Sequence, residues 1–505
     1  MMWRDGVVTG TRTTWGPVGR SCAELDVEIV GAPNGADGLL PGQWVRAVAY
    51  EALTGLPDAA ERVRLEVSAL DRALGTGGHA MVSSRLDVLP PDPPREGHLV
   101  KARYMPDQVM VTGVDEQGTA HHGLLSQPIG SLDLEGMPVV VADLHSSLPA
   151  VLAGLRSPDG QEQPRVAYIM TDGGALPLAY SRVVATLSRA GWLAGTITAG
   201  QAWGGDIEAV SVHNALLAAR HVLRADAAVV IQGPGNLGTE TPWGFSGVAC
   251  GDAINAIATL GGHPVACLRV SDADPRARHR GVSHHSMTAY GRVALAGADV
   301  VVPGLEGPLG VQVRQEAEAL CAPRPGAGQH RLVEVPADGL LELLRKAEAQ
   351  TGVRLSTMRR GLDEDAAAFI AAAAGARRRA AGRGGGGGGD GRAPLHRRGG
   401  GRSPRAPDPE RRNSAWLIET ADWGPQPAAQ RCRRQRVCQR PTTGRPVIAW
   451  CRGEKAAGHA TRSRSWISPW GPSSSPSHWS RSPSSCATAA MPSMLWTSPC
   501  AWHWR

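Results

Sequence analysis

In separate runs within the first 90 positions, apolar residues recur at every second place, the period of strands that bury one face. Leu25-Asp26-Val27-Glu28-Ile29-Val30 alternates in this way, Arg62 to Leu70 does so again, and Gly6-Val7-Val8-Thr9 is a further strand candidate. Turn residues at Pro33-Asn34-Gly35 and Pro41-Gly42 separate these runs. Short strands spaced like this close most simply into a small barrel of oligonucleotide-fold or SH3-like shape. Pro90-Pro91-Asp92-Pro93-Pro94 admits neither helix nor central strand, so residues 91–97 are expected to link a β-rich domain over 1–90 to a second domain over 98–375.

Beyond the linker the pattern changes. Short apolar runs at Pro138–Ala142, Arg165–Met170, Leu193–Thr198, Ala227–Ile231, Pro264–Val270, Asp299–Val302 and Leu332–Val335 alternate with helical stretches. This predicts an α/β fold: a doubly wound, mostly parallel, Rossmann-like sheet with helices on both faces. Ser146 or Ser147 is placed to cap a helix with Pro149 in its first turn. A second helix is expected from Asp206, with Ile207, Val210 and Leu217 on one face, and a third from near Ser246 to Gly261-Gly262.

Ligands of such sheets sit outside the carboxyl ends of the strands, and here nearly every end is small, polar or titratable. The titratable set is Asp143, His145, Asp172, Asp272 and, entering a later helix, His285. These groups suit proton transfer between a histidine and a carboxylate, or the binding of a divalent metal. No close ligand spacing supports the metal, and adjacent histidines such as His284 and His285 diverge by about 100° on a helix, so at most one should face a given site. The ligand-holding set is Gly173, Gly174, Gly233, Gly235, Asn236, Gly238, Thr239 and Ser271, whose backbone amides could cradle an anion.

Gly233-x-Gly235-x-x-Gly238 has the spacing of a dinucleotide fingerprint but departs from it. Pro242 delays the helix, Asp272 lies too far on, and the strand is a middle one. No cofactor follows from these residues. The plainer alternatives are helix capping for Ser146, Ser271 and Ser283, loop anchoring for Trp203 and Trp243, and a solvated charge run for Arg359 and Arg360.

Charge divides the chain in two. Of 505 residues, 53 are Lys or Arg and 46 are Asp or Glu, a net charge of +7. Counted separately, residues 1–375 carry 30 basic and 40 acidic groups, giving −10, and residues 376–505 carry 23 and 6, giving +17. The basic balance thus belongs to the tail and does not argue that the body binds nucleic acid. The tail also holds a hexaglycine run and scattered Trp and Cys without helical or strand period, a composition that predicts disorder. Loss of acidic residues together with the appearance of isolated Trp and Cys fits translation in a shifted frame; a basic arm for nucleic acid or membrane is the alternative. Cys22, Cys250, Cys267 and Cys321 are too few and too scattered for a disulfide scaffold or a metal motif, which fits a reducing cytoplasm. No apolar run reaches the roughly 18 residues of a membrane span.

Six segments resemble the bacterial domain-of-unknown-function family 3866. They are Gly97 to Tyr104, Val141-Ala142-Asp143-Leu144-His145-Ser146, Met170 to Pro177, Gly233 to Gly247, His279 to Arg292 and Leu355 to Asp365. The resemblance implies that the body extends to about Gly375, and it brings no activity with it. From the residues, the first expectation is a cytoplasmic enzyme acting on a small anionic or nucleotide-like molecule. The alternative is a metabolite-binding sensor whose β-rich domain meets a partner.

Overall fold

In the computed structural model, described over residues 1–382 apart from 76 and 158–160, the alternating segments close into a five-stranded barrel. Its strands are β1 (Trp3–Trp15), β2 (Cys22–Gly31), β3 (Trp44–Tyr50), β4 (Arg62–Glu66) and β5 (His79–Arg85), in the order β1-β2-β3-β5-β4. Every pairing is antiparallel except β3 with β5. The alternation explains the closure: Leu25, Val27, Ile29, Val63 and Leu65 all point inward and are fully buried. The strand expected over Arg62–Leu70 stops at Glu66, because the chain turns into a short helix at Ser68–Asp71.

The second half is a single parallel sheet. Its strands are β6 (Pro138–Ala142), β7 (Val166–Thr171), β8 (Gly195–Ala199), β9 (Ile207–Ala209), β10 (Ala227–Gln232), β11 (His263–Cys267), β12 (Asp299–Gly304) and β13 (Arg331–Pro336). They lie in the order β9-β8-β7-β10-β6-β11-β12-β13. Its helices include α1 (Leu148–Leu155), α2 (Arg182–Arg189), α3 (Val212–His221), α4 (Ala249–Thr259), the short α5 (His284–Thr288), α6 (Gly307–Leu320), α7 (Leu340–Thr351) and α8 (Ala366–Gly382). α1, α2, α7 and most of α8 cover one face of the sheet, and α3, α4 and α6 cover the other. No described helix is long and apolar enough to cross a membrane.

The winding positions the site. From β6 the chain runs through α1 across one face to β7; from the neighbouring β10 it runs through α4 across the other face to β11. Connections that leave two adjacent strands in opposite directions open a crevice between their carboxyl ends. Asp143 follows β6 and Gln232 ends β10, so these two residues flank that crevice.

Three sequence expectations are corrected. The helix placed at Asp206 starts later, at Val212, with the Ser211 hydroxyl capping it by accepting from Asn214 N. Residues 207–209 instead form the edge strand β9. A parallel connection normally needs a dozen or more residues, and only 200–206 join β8 to β9. The buried Lys101 makes this possible: its ammonium donates to the carbonyls of Thr198, Ala202 and Ala209 and pairs with Glu208 at 2.8 Å. Second, the strand expected to reach Val270 breaks at Cys267, and Val270–Ser271 pair separately with Gly281–Val282. Third, the last helix of the fold continues past 375. The alanine-rich α8 runs through Gly382, and Ala376 is 2% exposed, as expected when the best helix former continues over a core face. The disorder and shifted frame expected of the rest of the tail concern residues outside the described ones.

Barrel and sheet belong to one compact unit. Trp15 Nε1 donates to Ala179 O at 2.6 Å, and Arg182 pairs with Glu24 while lying 4.1 Å over the Trp15 ring. Trp203 is buried with its ring edge-on to Tyr50, which makes it a loop anchor; Trp243 is 63% exposed.

Helix α1 packs on α8 through Gly154, where an added Cβ would run into the carbonyl of Ala373. Gly→Ala inside a free helix stabilises by roughly 1 kcal/mol. At this crossing Gly154→Ala should instead destabilise the protein by about 1–3 kcal/mol through overpacking, read as a lower urea midpoint at unchanged slope.

Candidate functional site

The crevice between β6 and β10 is organised around the Asp143 carboxylate, which is 4% exposed. A buried charge persists only if its lone pairs are met, and four side chains meet these. Oδ2 accepts from His285 Nδ1 at 2.9 Å and from Arg269 Nη1 at 3.3 Å; Oδ1 accepts from Asn236 Nδ2 at 3.1 Å and, at the limit of hydrogen bonding, from Gln232 Nε2 at 3.5 Å. Gly247, at the turn that leads into α4, leaves room for this carboxylate, because a Cβ there would strike Asp143 Oδ1. Burial draws the Arg269 guanidinium below its usual range, against the pull of Asp143.

Beside the carboxylate lie three imidazoles. His279, His284 and His285 each place one ring nitrogen within 4.8 Å of the others, the one such grouping among the described residues. The expected divergence of adjacent histidines does not occur. Both sit in the first turn of α5, where their side chains swing together until the rings are 4.5 Å apart, and Phe245 packs flat on His285 at 3.8 Å and edge-on to His284. Ser283 holds the arrangement, its hydroxyl capping α5 through His285 N and meeting His279 Nδ1 at 2.7 Å. Burial, helped by the charge of Arg269, pushes His279 down to about 3, and burial, helped by His285, pushes His284 down to about 4. Both rings are therefore uncharged at neutral pH, with lone pairs available.

Of the titratable groups expected to converge, the structure brings together Asp143 and His285. His145 is buried elsewhere, with Nδ1 on the Tyr168 hydroxyl at 3.1 Å and Nε2 on the Ser181 hydroxyl at 2.7 Å, so both nitrogens serve the packing of α1 and α2. Asp172 is exposed and accepts from Gln201 N at 2.9 Å. Asp272 is exposed too, and it joins the structure through its backbone, N to Asp365 and O to Arg280.

Of the ligand-holding set, Asn236 reaches the site. Gly173, Gly174 and Gly233 serve loop packing: Cβ atoms there would meet Gln232 Oε1, Gly233 O and Ala175 O, and Ala175 N donates to Pro234 O at 2.8 Å. Gly235 makes a turn at φ +89°. Gly238 and Thr239 belong to an exposed hairpin, with Thr239 N bonded to Gly244 O at 2.8 Å. Ser271 joins a separate buried network, donating to Asp365 Oδ2 at 2.6 Å. Arg360 ties that carboxylate to Asp274, which also pairs with Arg276. Burial works to raise the Asp274 carboxyl, but Arg276 and Arg360 outweigh it and hold it well below the usual range. Between this network and Arg269 lies a cavity of about 20 Å³, lined by Ser147, Ser271, Thr357 and Arg360 among others. That is room for about one water.

Sequence reasoning passed over His279 and Arg269. Arg269 fell inside the strand expected to reach Val270 and His279 lies beyond any strand end, and the signal that could have found them is the density of Arg and His across Arg269 to His285.

A protein-family profile matches residues 46–376, under the description "Protein of unknown function (DUF3866)". No curated protein matches the chain.

Burial of His145 lowers its pKa to about 4 from 6.5. Below pH 6.5 the unfolded chain takes up a proton that the fold refuses, so stability falls from about pH 6.5 down to about 4 and then levels off. The loss from this one group is on the order of 3 kcal/mol. Urea melts across this range should show a shallower decline for His145→Gln than for the wild type, and a lower stability for the variant at pH 7.5, where two hydroxyls lose their partner.

Proposed function

The chain belongs to the DUF3866 family, and on the geometry of its own residues we propose an enzyme that activates water, or moves a proton, on a small anionic or nucleotide-like molecule bound in the β6/β10 crevice. The observation that carries this reading is the convergence of a buried carboxylate, a guanidinium and three imidazoles at the topological switch point of the sheet. A purely structural edge has no need of this set, since each buried polar group costs stability unless fully partnered. Two acceptor or ligand atoms here are buried without a partner, His284 Nε2 and Gln232 Oε1. Unmet polar atoms of this kind are what a bound ligand or water would satisfy.

The roles follow from chemistry. Arg269 lies 3.1 Å from His285 Nδ1, and a guanidinium matches carboxylate or phosphate oxygens with paired donors. Asp143 is a positioning residue: with Arg269 it takes up His285 Nδ1, which fixes the ring and leaves Nε2 facing away from the ion pair. Phe245 lines the rings with an apolar wall that strengthens polar contacts beside it. The exposed hairpin over 237–246 stands at the same edge, pinned through Glu240 to Arg278 at 2.8 Å.

The test is a panel of inorganic phosphate, mononucleotides and small dicarboxylates, screened by thermal shift and followed by NMR for turnover. A ligand that raises Tm for the full chain should bind Arg269→Gln at least about tenfold more weakly, the value of one charge-assisted contact. Asp143→Asn should lower kcat by about 100-fold with little change in KM, as expected when a group acts only through another's orientation. Equal binding by wild type and Arg269→Gln would sink the assignment of the anion to this crevice, and binding without any turnover would make the protein a sensor.

A further inference from the structure

We infer that His279, His284 and His285 form a three-histidine site for one divalent transition-metal cation, zinc being the best match. The inference rests on reading the β6/β10 crevice as the reaction site, and it names the electrophile that would activate water there.

The first support is geometric. One nitrogen from each ring lies within 4.8 Å of the other two, and ligands at about 2.1 Å from a tetrahedral zinc stand roughly 3.4 Å apart. The rings need to close by at most about 1.4 Å, a movement within the reach of modest side-chain rotation in three residues of one short segment.

The second is the division of labour within each ring. His285 Nδ1 lies between the Asp143 carboxylate at 2.9 Å and the Arg269 guanidinium at 3.1 Å, so that nitrogen is taken up by the protein and Nε2 is the one left for a metal. His279 Nδ1 is taken up by the Ser283 hydroxyl, again leaving Nε2. His284 Nε2 is buried and has no hydrogen-bond partner. A ligating histidine characteristically uses one nitrogen for the metal and commits the other to a carboxylate or hydroxyl, which fixes the ring. Asp143, Ser283 and the flat Phe245 ring supply such an outer layer.

The third is electrostatic. Asp143 offsets the charge of Arg269, so the cluster faces a neutral ion pair. Imidazole ligands favour zinc, cobalt, nickel and iron over magnesium or calcium. Three protein ligands leave a fourth position for water or an anionic group of the substrate.

The experiment uses the full chain, stripped with chelator, dialysed and titrated with Zn²⁺ by calorimetry and with Co²⁺ by visible absorption. One equivalent should bind, and the cobalt form should show the intense d–d bands of a four- or five-coordinate nitrogen site. His279→Gln and His284→Gln should each weaken binding by at least about 100-fold, and Asp143→Asn by about 10- to 100-fold, the range for an outer-layer partner of a ligand. His145→Gln should bind as the wild type does. Circular dichroism of the metal-free variants separates lost ligands from lost folding. Folded wild type that binds neither metal saturably overturns the inference, as does binding that survives both His279→Gln and His284→Gln. Metal binding without any anion binding would leave this site standing and remove the proposed function; anion turnover in chelated protein would do the reverse.

Discussion

The Asp143 carboxylate is the constraint on which the crevice depends. It is buried at the point where the winding of the sheet reverses, and solvation is replaced by four side chains drawn from β10, from the loop after it, from the loop after β11 and from α5. Removing any one donor leaves the charge less well met, and an unmet charge in an interior costs far more than an unmet amide. The carboxylate therefore couples four segments that approach from both sides of the switch point. Gly247 shows how tightly: the chain gives up a side chain where one would occupy the space of an oxygen atom.

The same economy places the histidines. Two of the three are adjacent in sequence and lie at the start of a five-residue helix, so their positions depend little on a long rigid element. What holds them is a small hydrogen-bonded and stacked group: Ser283 between the His279 ring and the His285 backbone, with Asp143 behind the His285 ring and Phe245 flat against it. Sites built this way gain precision from their supporting layer rather than from the backbone that carries them.

Much of the architecture is legible in the sequence. The apolar runs at Pro138–Ala142, Ala227–Ile231 and Asp299–Val302 match observed strands to within a residue or two, because strands buried on both faces must be apolar throughout. The edge strand at 207–209 was hidden, since its three residues fit a helical face equally well and its existence depends on a lysine about a hundred positions earlier. At the site, Asp143 and His285 could be read from their place at a strand end and a helix start. His145 and Asp172 have the same local signature but different neighbours: a Tyr and a Ser hydroxyl absorb the one, a backbone amide the other. The glycines misled for a related reason. Close backbone approach can serve a ligand or another loop, and at Gly173, Gly174 and Gly233 it serves another loop.

The staple at Lys101 also bears on how such a protein can be inherited in pieces. The ammonium that holds β8 and β9 together comes from just beyond the proline-rich run, in a short hairpin of Leu99–Lys101 with Val109–Val111. In sequence this segment looks like the trailing end of a linker, yet in space it is part of the sheet's edge. Recombination that exchanged the barrel upstream of Gly97 would leave the sheet with its own cation, whereas a crossover a few residues later would separate Glu208 from the Lys101 ammonium that balances it in the interior. The segment after residue 97 therefore belongs with the sheet, whatever stands before it.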